Sequence, residues 1–334
     1  MTYVDRVVAV PDASAVASAR RAATQVAETL GLKEVPAGKA ALVATELATN
    51  LVKHAGGGSL LVGSNAEHAL VLVAIDHGRG MANVAAAMHD GYSTAGSAGT
   101  GLGAIQRAAN FTDLYTLPDR GTAILCRIEN ETPRPPLVGT PARIDIGGVC
   151  IPKPGEEYAG DAWVAVQAGD ATMVAVADGL GHGQGASIAS QSAIRVFARD
   201  NGEALERLMQ DAHGALRPTR GAAVGLARIH GAHGRIDFAG VGNIAGTIAA
   251  DDGVRRVVSL GGIVGHEMRK VQTFSYPWTA SSVLVLQSDG VSASWNAANY
   301  PGLMQHDLVL IAAVLYRDFV RGNDDATVVV AKAS

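Results

Sequence analysis

Apolar residues along the chain occur in two kinds of stretch, short runs bounded by turn residues and longer runs with helical spacing. In the first 130 residues, the longer runs predict one helix from Asp12 or Ser14 to about Leu30 and a second from Pro36 to His54. The short runs predict four strands, at residues 60–63, 70–76, 111–116 and 122–128. This half is therefore expected to place helices on a mainly antiparallel sheet.

The second half of the chain has more strand-like runs and fewer helical ones. Helical spacing predicts helices over residues 185–199, 203–213 and 307–319. The predicted strands are residues 144–151, 163–167, 173–177, 222–229, 236–239, 254–259, 283–287 and 327–330. These patterns predict a second α+β domain with more strands than the first.

A proline-rich stretch, NETPRPPLVGTP at residues 130–141, separates the two patterns. Four prolines in a short polar segment do not sustain a helix or a central strand. A length of 334 residues also favours two domains. We therefore predict a first domain at residues 1–130, a linker at 131–142 and a second domain at 143–334.

The composition of the chain is typical of a globular protein and argues against some classes of partner. Hydrophobic residues make up 48% of the chain, charged residues 17%, and the net charge is −4, which argues against nucleic acid as a partner. No apolar run approaches the ~20 residues that cross a bilayer, so no membrane association is expected. Cys126 and Cys150 end apolar runs and are expected to be buried thiols, which favours a cytoplasmic protein.

Polar residues on the second predicted helix recur every four positions, at Glu46, Asn50 and His54, and so share one face. Such a stripe is ordinarily a solvated helix face. Two glycine-rich segments follow, DHGRG at 76–80 and GSAGTGLG at 96–103, and each alone is typical of turns. Taken with the helix, they suit backbone amides that approach phosphates.

These three segments resemble the GHKL (Bergerat) ATPase family, an α/β sandwich, in the order that the family uses. ELATNLVKHA is similar to its N box, DHGRG to its first glycine box and GTGLG to its second. The resemblance extends to bacterial serine kinases of the RsbT and RsbW type, and DGYST at 90–94 favours RsbT.

The resemblance implies ATP with Mg²⁺ as the bound nucleotide and assigns roles to single residues. Glu46 would be the base for the substrate hydroxyl, Asn50 would hold Mg²⁺, and Asp76 would recognise adenine. The remaining nucleotide contacts would be Gly78, Gly80, Gly99, Gly101, Gly103 and Thr122. Relatives of such domains also act by binding a sigma factor or another phosphatase, so the alternative is a nucleotide-binding anti-sigma or regulatory module without kinase turnover.

Aspartates in the second half follow or precede strand-like runs, at Asp161, Asp178, Asp289, Asp324 and Asp325. An Asp-Gly pair alone is usually a turn. Together, carboxylates gathered at strand ends provide the oxygen ligands that Mg²⁺ or Mn²⁺ prefers, and two such ions can activate a water for attack on a phosphoryl group.

The segments GD, DGLGHG, SDG and DDAT resemble the PPM family of metal-dependent Ser/Thr phosphatases, which have an α-β-β-α sandwich, and within it the compact SpoIIE branch of the RsbX type. The resemblance implies two Mn²⁺ or Mg²⁺ ions. Asp178 would bridge them, Asp289 and Asp324 would complete one site, and Asp161 with the Gly179 carbonyl would serve the other. The family has a double glycine where this chain has Ala159 and Gly160.

Two residues beside this pattern keep more than one interpretation. Asp325 adjoins the aligned ligand and would support it, and His182 would either protonate the leaving serine oxygen or hydrogen-bond the loop. Together the two resemblances imply a bifunctional stress-signalling switch that phosphorylates and dephosphorylates a STAS-domain partner of the stressosome or anti-sigma-antagonist type. A scaffold with inactive sites is a third hypothesis.

Overall fold

The structure is a computed structural model that describes residues 2–66, 68–82, 101–130 and 144–333. Gly99, the DGYST segment and the predicted linker at 131–142 lie outside the described residues. The described chain forms two compact units. The N-terminal unit contains residues 2–130 and 305–317, and the C-terminal unit contains residues 144–304 and 318–333, each with the gaps above.

The N-terminal unit is a five-stranded antiparallel sheet with helices packed on it. The helices described within residues 2–130 are α1 (Val16–Thr29), α2 (Glu34–Ala55) and α3 (Gly101–Ala108). The strand order is β1-β2-β3-β5-β4. The strands are β1 (Thr2–Val10), β2 (Gly58–Asn65), β3 (Leu70–Ile75), β4 (Phe111–Leu117) and β5 (Gly121–Ile128).

Helix α2 supplies much of the core of this unit. Val43, Leu47 and Leu51 recur at helical spacing and are buried, with the predicted polar stripe alongside them. The helix ends at Gly56, whose left-handed φ of 72° lets the chain reverse into β2 at no steric cost. The second predicted helix and its end are thus confirmed.

Strand β1 is absent from the sequence-based prediction. Its pairing with β2 shifts register between Val4 and Arg6, so the strict alternation of inward and outward residues is interrupted within the strand. Val4 and Val10 are buried, whereas Val7 is exposed. The irregular pattern explains why nine residues of strand leave little periodic signal.

The C-terminal unit contains two sheets and the helices α4 (Gln184–Phe197) and α5 (Leu205–Leu216), and α6 (Leu308–Phe319) follows in the chain. One sheet has the order β12-β11-β15-β16-β6 and the other β13-β10-β9-β8-β7, with β14 paired to β10. The strands are β6 (Ile144–Ile151), β7 (Asp161–Ala168), β8 (Ala171–Gly179), β9 (Ala222–His230), β10 (Arg235–Val241), β11 (Ala245–Ala250), β12 (Gly253–Arg256), β13 (Ser259–Leu260), β14 (Phe274–Pro277), β15 (Val283–Gln287) and β16 (Ala326–Ala333).

The strand prediction for this unit is wrong in one place. The predicted strand at 254–259 is two short strands, β12 and β13, which lie in different sheets. Strands β11 and β14 were not predicted, because the alanine and glycine of β11 carry little strand preference and β14 is only four residues long. The mixed α and β class of both units agrees with the prediction.

Helix α6 differs from its sequence-based placement. The sequence analysis assigns the whole of residues 143–334 to the second domain, whereas the structure groups residues 305–317 with the N-terminal unit. Eight consecutive apolar residues of α6, Leu308 to Leu315, are buried, so its sequence has no polar face to indicate which sheet covers it. Among the described residues, no helix is both long and apolar enough to cross a membrane.

Candidate functional sites

Asp76 is held rigidly at the end of β3 in the N-terminal unit. Its carboxylate Oδ1 accepts hydrogen bonds from the backbone N–H groups of Gly78, at 2.8 Å, and Thr122, at 3.1 Å. Its own N–H donates to the Thr122 carbonyl at 3.0 Å. Burial raises the pKa of Asp76, while these two N–H groups and the nearby Arg317 lower it. The carboxylate is therefore partly desolvated, and the two hydrogen bonds fix its orientation.

Close backbone packing surrounds Asp76. A Cβ on Gly78 would lie 2.8 Å from the Ala55 side chain, and one on Gly121 would lie 2.0 Å from the Asp76 carbonyl oxygen. Gly80 has a φ of 67° and a Cβ there would lie 2.1 Å from the Leu117 carbonyl oxygen. The first glycine segment is thus needed where β3 leaves the sheet.

Thr122 lies next to the Asp76 loop. Its Oγ1 is 3.0 Å from Oγ1 of Thr116, which accepts a hydrogen bond from the Met81 N–H at 2.9 Å. Thr122 is buried. The pair of threonines ties the turn between β4 and β5 to the segment that follows Asp76.

Glu46 and Asn50 lie one turn apart on α2, and both are partly buried. His54 follows one turn later and is exposed. Burial lowers the pKa of His54, as do the charges of Lys53 and Arg79, while Asp76 raises it. Because the charge of Asp76 acts on His54, the C-terminal end of the polar stripe lies near the Asp76 loop.

The second glycine segment leads into a helix. Gly101 and Gly103 lie in the described part of α3. Backbone N–H groups at the start of a helix attract anions. Gly99 and the other residues just before Gly101 lie outside the described residues, so the phosphate contacts expected of these glycines stay predictions.

In the C-terminal unit, Asp161 and Asp178 are brought together by strand pairing. They are directly opposite each other in the antiparallel pair of β7 and β8. Directly opposed residues on one face have Cβ atoms ~5 Å apart. Burial raises the pKa of both carboxyls, and the charge of Asp161 adds to the effect on Asp178. Strand register thus places two acidic groups side by side in the interior.

The charges of the other three aspartates of the pattern also affect the pKa of Asp178. After burial and Asp161, the charges of Asp289, Asp324 and Asp325 also raise the pKa of Asp178. Asp324 likewise raises the pKa of Asp289, where burial is the main cause. All five carboxylates predicted from the sequence are therefore electrostatic neighbours.

These carboxylates suit divalent cations chemically. Clustered carboxylate oxygens are the ligands that Mg²⁺ and Mn²⁺ prefer, and a cation offsets their mutual repulsion. As the side chains stand, no three His, Cys, Asp or Glu groups within the described ranges are close enough together to hold a metal ion. Asp325 nevertheless has an Oδ2 that is buried without a hydrogen-bond partner, although its Oδ1 accepts from the Lys153 N–H at 2.9 Å. The donor set therefore has the chemistry that a divalent cation prefers, although the described side chains do not form a closed site as they stand.

Glycines bring the backbone close to this cluster. A Cβ on Gly179 would lie 2.1 Å from the Ala186 carbonyl oxygen, and one on Gly160 would lie 2.5 Å from Asp325 Oδ2. The Gly179 N–H donates to the Gly160 carbonyl at 3.1 Å. Gly160 is the second residue of the altered AlaGly pair, so the glycine that the packing requires is retained.

His182 lies in the loop between β8 and α4. Its Nδ1 is 2.6 Å from Oε1 of Glu156, and both side chains are partly exposed. The charge of His182 lowers the pKa of Asp325, against the larger effect of burial. The imidazole is therefore oriented by a carboxylate and lies near the acidic cluster, an arrangement that suits general acid catalysis.

Several residues of this site were missed by sequence reasoning. Ser288 donates to Asp161 Oδ2 at 2.6 Å and accepts from the Thr327 N–H at 3.0 Å. Asn243 donates to Asp289 Oδ2 at 2.6 Å. Ser288 immediately precedes Asp289 in the SDG segment, so the sequence itself pointed to Ser288 as a neighbour of the acidic cluster. No sequence pattern pointed to Asn243 and Glu156, because each contacts a residue that is distant in the sequence.

Family models match both halves of the chain. Residues 9–127 match the model described as a histidine kinase-like ATPase domain. Residues 168–334 match the model of stage II sporulation protein E, SpoIIE. The two matches fall on opposite sides of the proline-rich stretch.

Individual relatives agree with this division. The serine/threonine-protein kinase RsbT of Bacillus subtilis (strain 168) is 30% identical over 112 residues, which are 33% of this chain and 84% of RsbT. A structure reported under the description "The bacterial stressosome: a modular system that has been adapted to control secondary messenger signaling" has 26% identity and a TM-score of 0.53, over 57% of this chain and 100% of its own. RsbX in complex with magnesium has 19% identity and a TM-score of 0.52, over 59% of this chain and 98% of its own.

Proposed function

Since the chain belongs to the SpoIIE family and has a histidine kinase-like ATPase domain ahead of its SpoIIE part, we propose that it is a bifunctional stress-signalling switch. Its C-terminal part removes phosphate from Ser or Thr of a STAS-domain partner, and its N-terminal part transfers phosphate from ATP to such a partner. The similarity to RsbT and to a structure described with the stressosome supports this choice of partner. We also propose that it acts in the cytoplasm.

The phosphatase reaction depends on the acidic cluster. Asp161, Asp178, Asp289, Asp324 and the Gly179 carbonyl would hold two Mn²⁺ or Mg²⁺ ions, which when bound supply charge neutralisation and an activated water. Ser288 and Asn243 orient Asp161 and Asp289 by hydrogen bonds. His182, held by Glu156, would donate a proton to the serine or threonine oxygen as its bond to phosphorus breaks.

The observation that carries this proposal is the opposition of Asp161 and Asp178 within a cluster of five carboxylates. Release of phosphate from p-nitrophenyl phosphate and from phosphorylated STAS proteins tests it, with Mn²⁺, with Mg²⁺ and with a chelator. We expect release only with metal, and a loss of at least ~100-fold in Asp178→Asn, because a carboxylate that would hold the metal is removed. Metal-independent release, or full activity in Asp178→Asn, would refute the proposed mechanism.

The kinase reaction uses the N-terminal unit. Glu46 would accept the proton of the substrate hydroxyl, Asn50 would hold Mg²⁺ on the phosphates, and Asp76 would accept a hydrogen bond from the adenine amino group. The fixed orientation of Asp76 supports the last role. Transfer from labelled ATP to a STAS protein is the test. Glu46→Gln is expected to reduce transfer by ~100-fold or more while leaving ATP binding intact.

A second candidate is a nucleotide-binding regulatory module without kinase turnover. One observation favours it: residues 305–317, which lie between Asp289 and Asp324 in the sequence, belong to the N-terminal unit. Nucleotide bound to that unit would then influence the segment that precedes Asp324. Nucleotide binding that changes the phosphatase rate, with no transfer to any STAS protein, would select this alternative, including an anti-sigma role.

A further inference from the structure

Residues 305–317 enter the N-terminal unit through polar contacts at the start of α6. The Asp113 carboxylate on β4 accepts from His306 Nδ1 and from the Asp307 N–H, each at 2.8 Å. Asp307 Oδ2 is 2.6 Å from Nη2 of Arg127 on β5, and its Oδ1 accepts from the Val309 N–H at 3.0 Å. Asp307 therefore caps the helix and pairs with the sheet at once.

The other end of this segment reaches the proposed nucleotide site. Arg317 is 5% exposed, and its Nη1 donates to the backbone carbonyl oxygen of Asp76 at 3.2 Å. A Cβ on Gly121 would approach the same carbonyl oxygen to 2.0 Å, so the peptide group has little room to move. The guanidinium thus holds the peptide that carries the Asp76 side chain.

Arg317 also acts on Asp76 through its charge. An ionised carboxylate accepts a hydrogen bond from an adenine amino group more strongly than a protonated carboxyl does, and burial opposes ionisation. Burial is the main influence on Asp76, and the positive charge of Arg317 acts against it. Arginine keeps its charge in buried surroundings better than lysine does.

We propose that Arg317 is a positioning residue of the nucleotide site, acting through Asp76, and that residues 305–317 complete the ATP-binding domain from the far end of the chain. The inference rests on the proposed binding of ATP at Asp76. Residues 305–317 lie outside the family match, which covers residues 9–127. The resemblance to the GHKL family assigns no role to them either.

The test measures binding of a fluorescent ATP analogue to the full chain in Mg²⁺. Arg317→Met keeps an unbranched apolar stem and removes the charge, Arg317→Lys keeps the charge, and Arg317→Gln keeps a hydrogen-bond donor. Arg321→Met, four residues on and exposed, is the matched control. We expect a loss of affinity of ~10-fold or more in Arg317→Met, because a hydrogen bond to a charged group is involved. The affinity of Arg317→Lys for the analogue should lie between those of the parent and Arg317→Met. The affinity of Arg321→Met should be within twofold of that of the parent.

The pH profile separates positioning from general destabilisation. Without the Arg317 charge, Asp76 takes up a proton at a higher pH, so nucleotide affinity in Arg317→Met and Arg317→Gln should begin to fall at a higher pH than in the parent. A purely structural role would lower affinity equally at all pH values.

Two failures are distinguishable. If the parent binds the analogue and all Arg317 variants bind it equally well, the inference is wrong and the proposed nucleotide function stands. If the parent does not bind it, the nucleotide function is wrong and the inference falls with it. Thermal unfolding of each variant identifies any that fails to fold, and Arg317→Lys and Arg317→Gln then replace Arg317→Met in the comparison.

Discussion

Asp161 and Asp178 lie directly opposite each other on β7 and β8, and Ser288 donates a 2.6 Å hydrogen bond to the first of them. Asp161 is almost fully buried. Two adjoining carboxyl groups in the interior repel each other when both are ionised, so the fold accepts a cost there that a bound cation would offset.

Removing one of these charges should stabilise the metal-free protein. The folded-state pKa of Asp178 lies above its ordinary value, so the folded protein binds more protons than the unfolded one above about pH 4, and stability falls as pH rises. In a chelator at pH 7 to 8, Asp178→Asn should increase the free energy of unfolding by about 1–2 kcal/mol and flatten its decline with pH. Urea unfolding followed by tryptophan fluorescence measures both.

The control for this change lies at the turn of the same hairpin. Asp170 follows β7 on the exposed side of the turn and contacts His233 at 3.1 Å. Asp170→Asn should leave stability within about 0.5 kcal/mol of the parent and leave phosphatase activity unchanged. A metal-free Asp178→Asn protein that is less stable than the parent would contradict the electrostatic account.

Glu156 is expected to matter for turnover more than for binding. Its carboxylate lies 2.6 Å from His182 Nδ1 and fixes the direction of the ring. Glu156→Gln should reduce kcat by ~10-fold with little change in KM, because proton donation weakens while phosphate binding remains. The pH dependence of kcat should change on its alkaline side. An unchanged pH profile with lower kcat would indicate a structural role instead.

Gly179 tests the proposed carbonyl ligand. A Cβ there would lie 2.1 Å from a backbone oxygen, so Gly179→Ala forces the β8–α4 loop to shift. We expect a loss of phosphatase activity of ~100-fold or more and a higher metal concentration for half-activation. Gly214→Ala is the control, because Gly214 lies inside α5 with open space around it, and alanine there should stabilise the helix by about 0.5–1 kcal/mol.

The contacts of Asp113 predict acid sensitivity of the N-terminal unit. Burial raises the pKa of Asp113, but hydrogen bonds from His306 and the Asp307 N–H outweigh it, and the pKa is lowered. Its stabilising effect is therefore present above about pH 4 and lost as the pH falls further. Asp113→Asn should cost about 1–2 kcal/mol at pH 7 and less at pH 3, measured by denaturant unfolding with circular dichroism. An equal cost at both pH values would rule out the carboxylate as the cause.

Structural features that are encoded by residues close together in the sequence could be predicted. The stripe of Val43, Leu47 and Leu51 predicted α2, and the DGLGHG segment predicted a loop between a strand and a helix. The acidic cluster followed from aspartates placed at strand ends, although only the register of β7 and β8 shows that Asp161 and Asp178 are directly opposed.

Elements that depend on distant contacts were not predictable. The register shift in β1 disturbed its alternation, and the uniformly apolar α6 did not indicate its surroundings. Asn243 and Glu156 reach their partners across 46 and 26 residues of sequence. No local pattern encodes such pairs, since each is formed by the packing of separate strands and loops.

The assignment of residues 305–317 to the N-terminal unit affects where the chain can be cut into separately folded fragments. A fragment that ends at the proline-rich stretch would lack His306 and Asp307, the polar partners of Asp113 and Arg127. The first half expressed alone should therefore unfold at a lower denaturant concentration than the same unit does in the full chain.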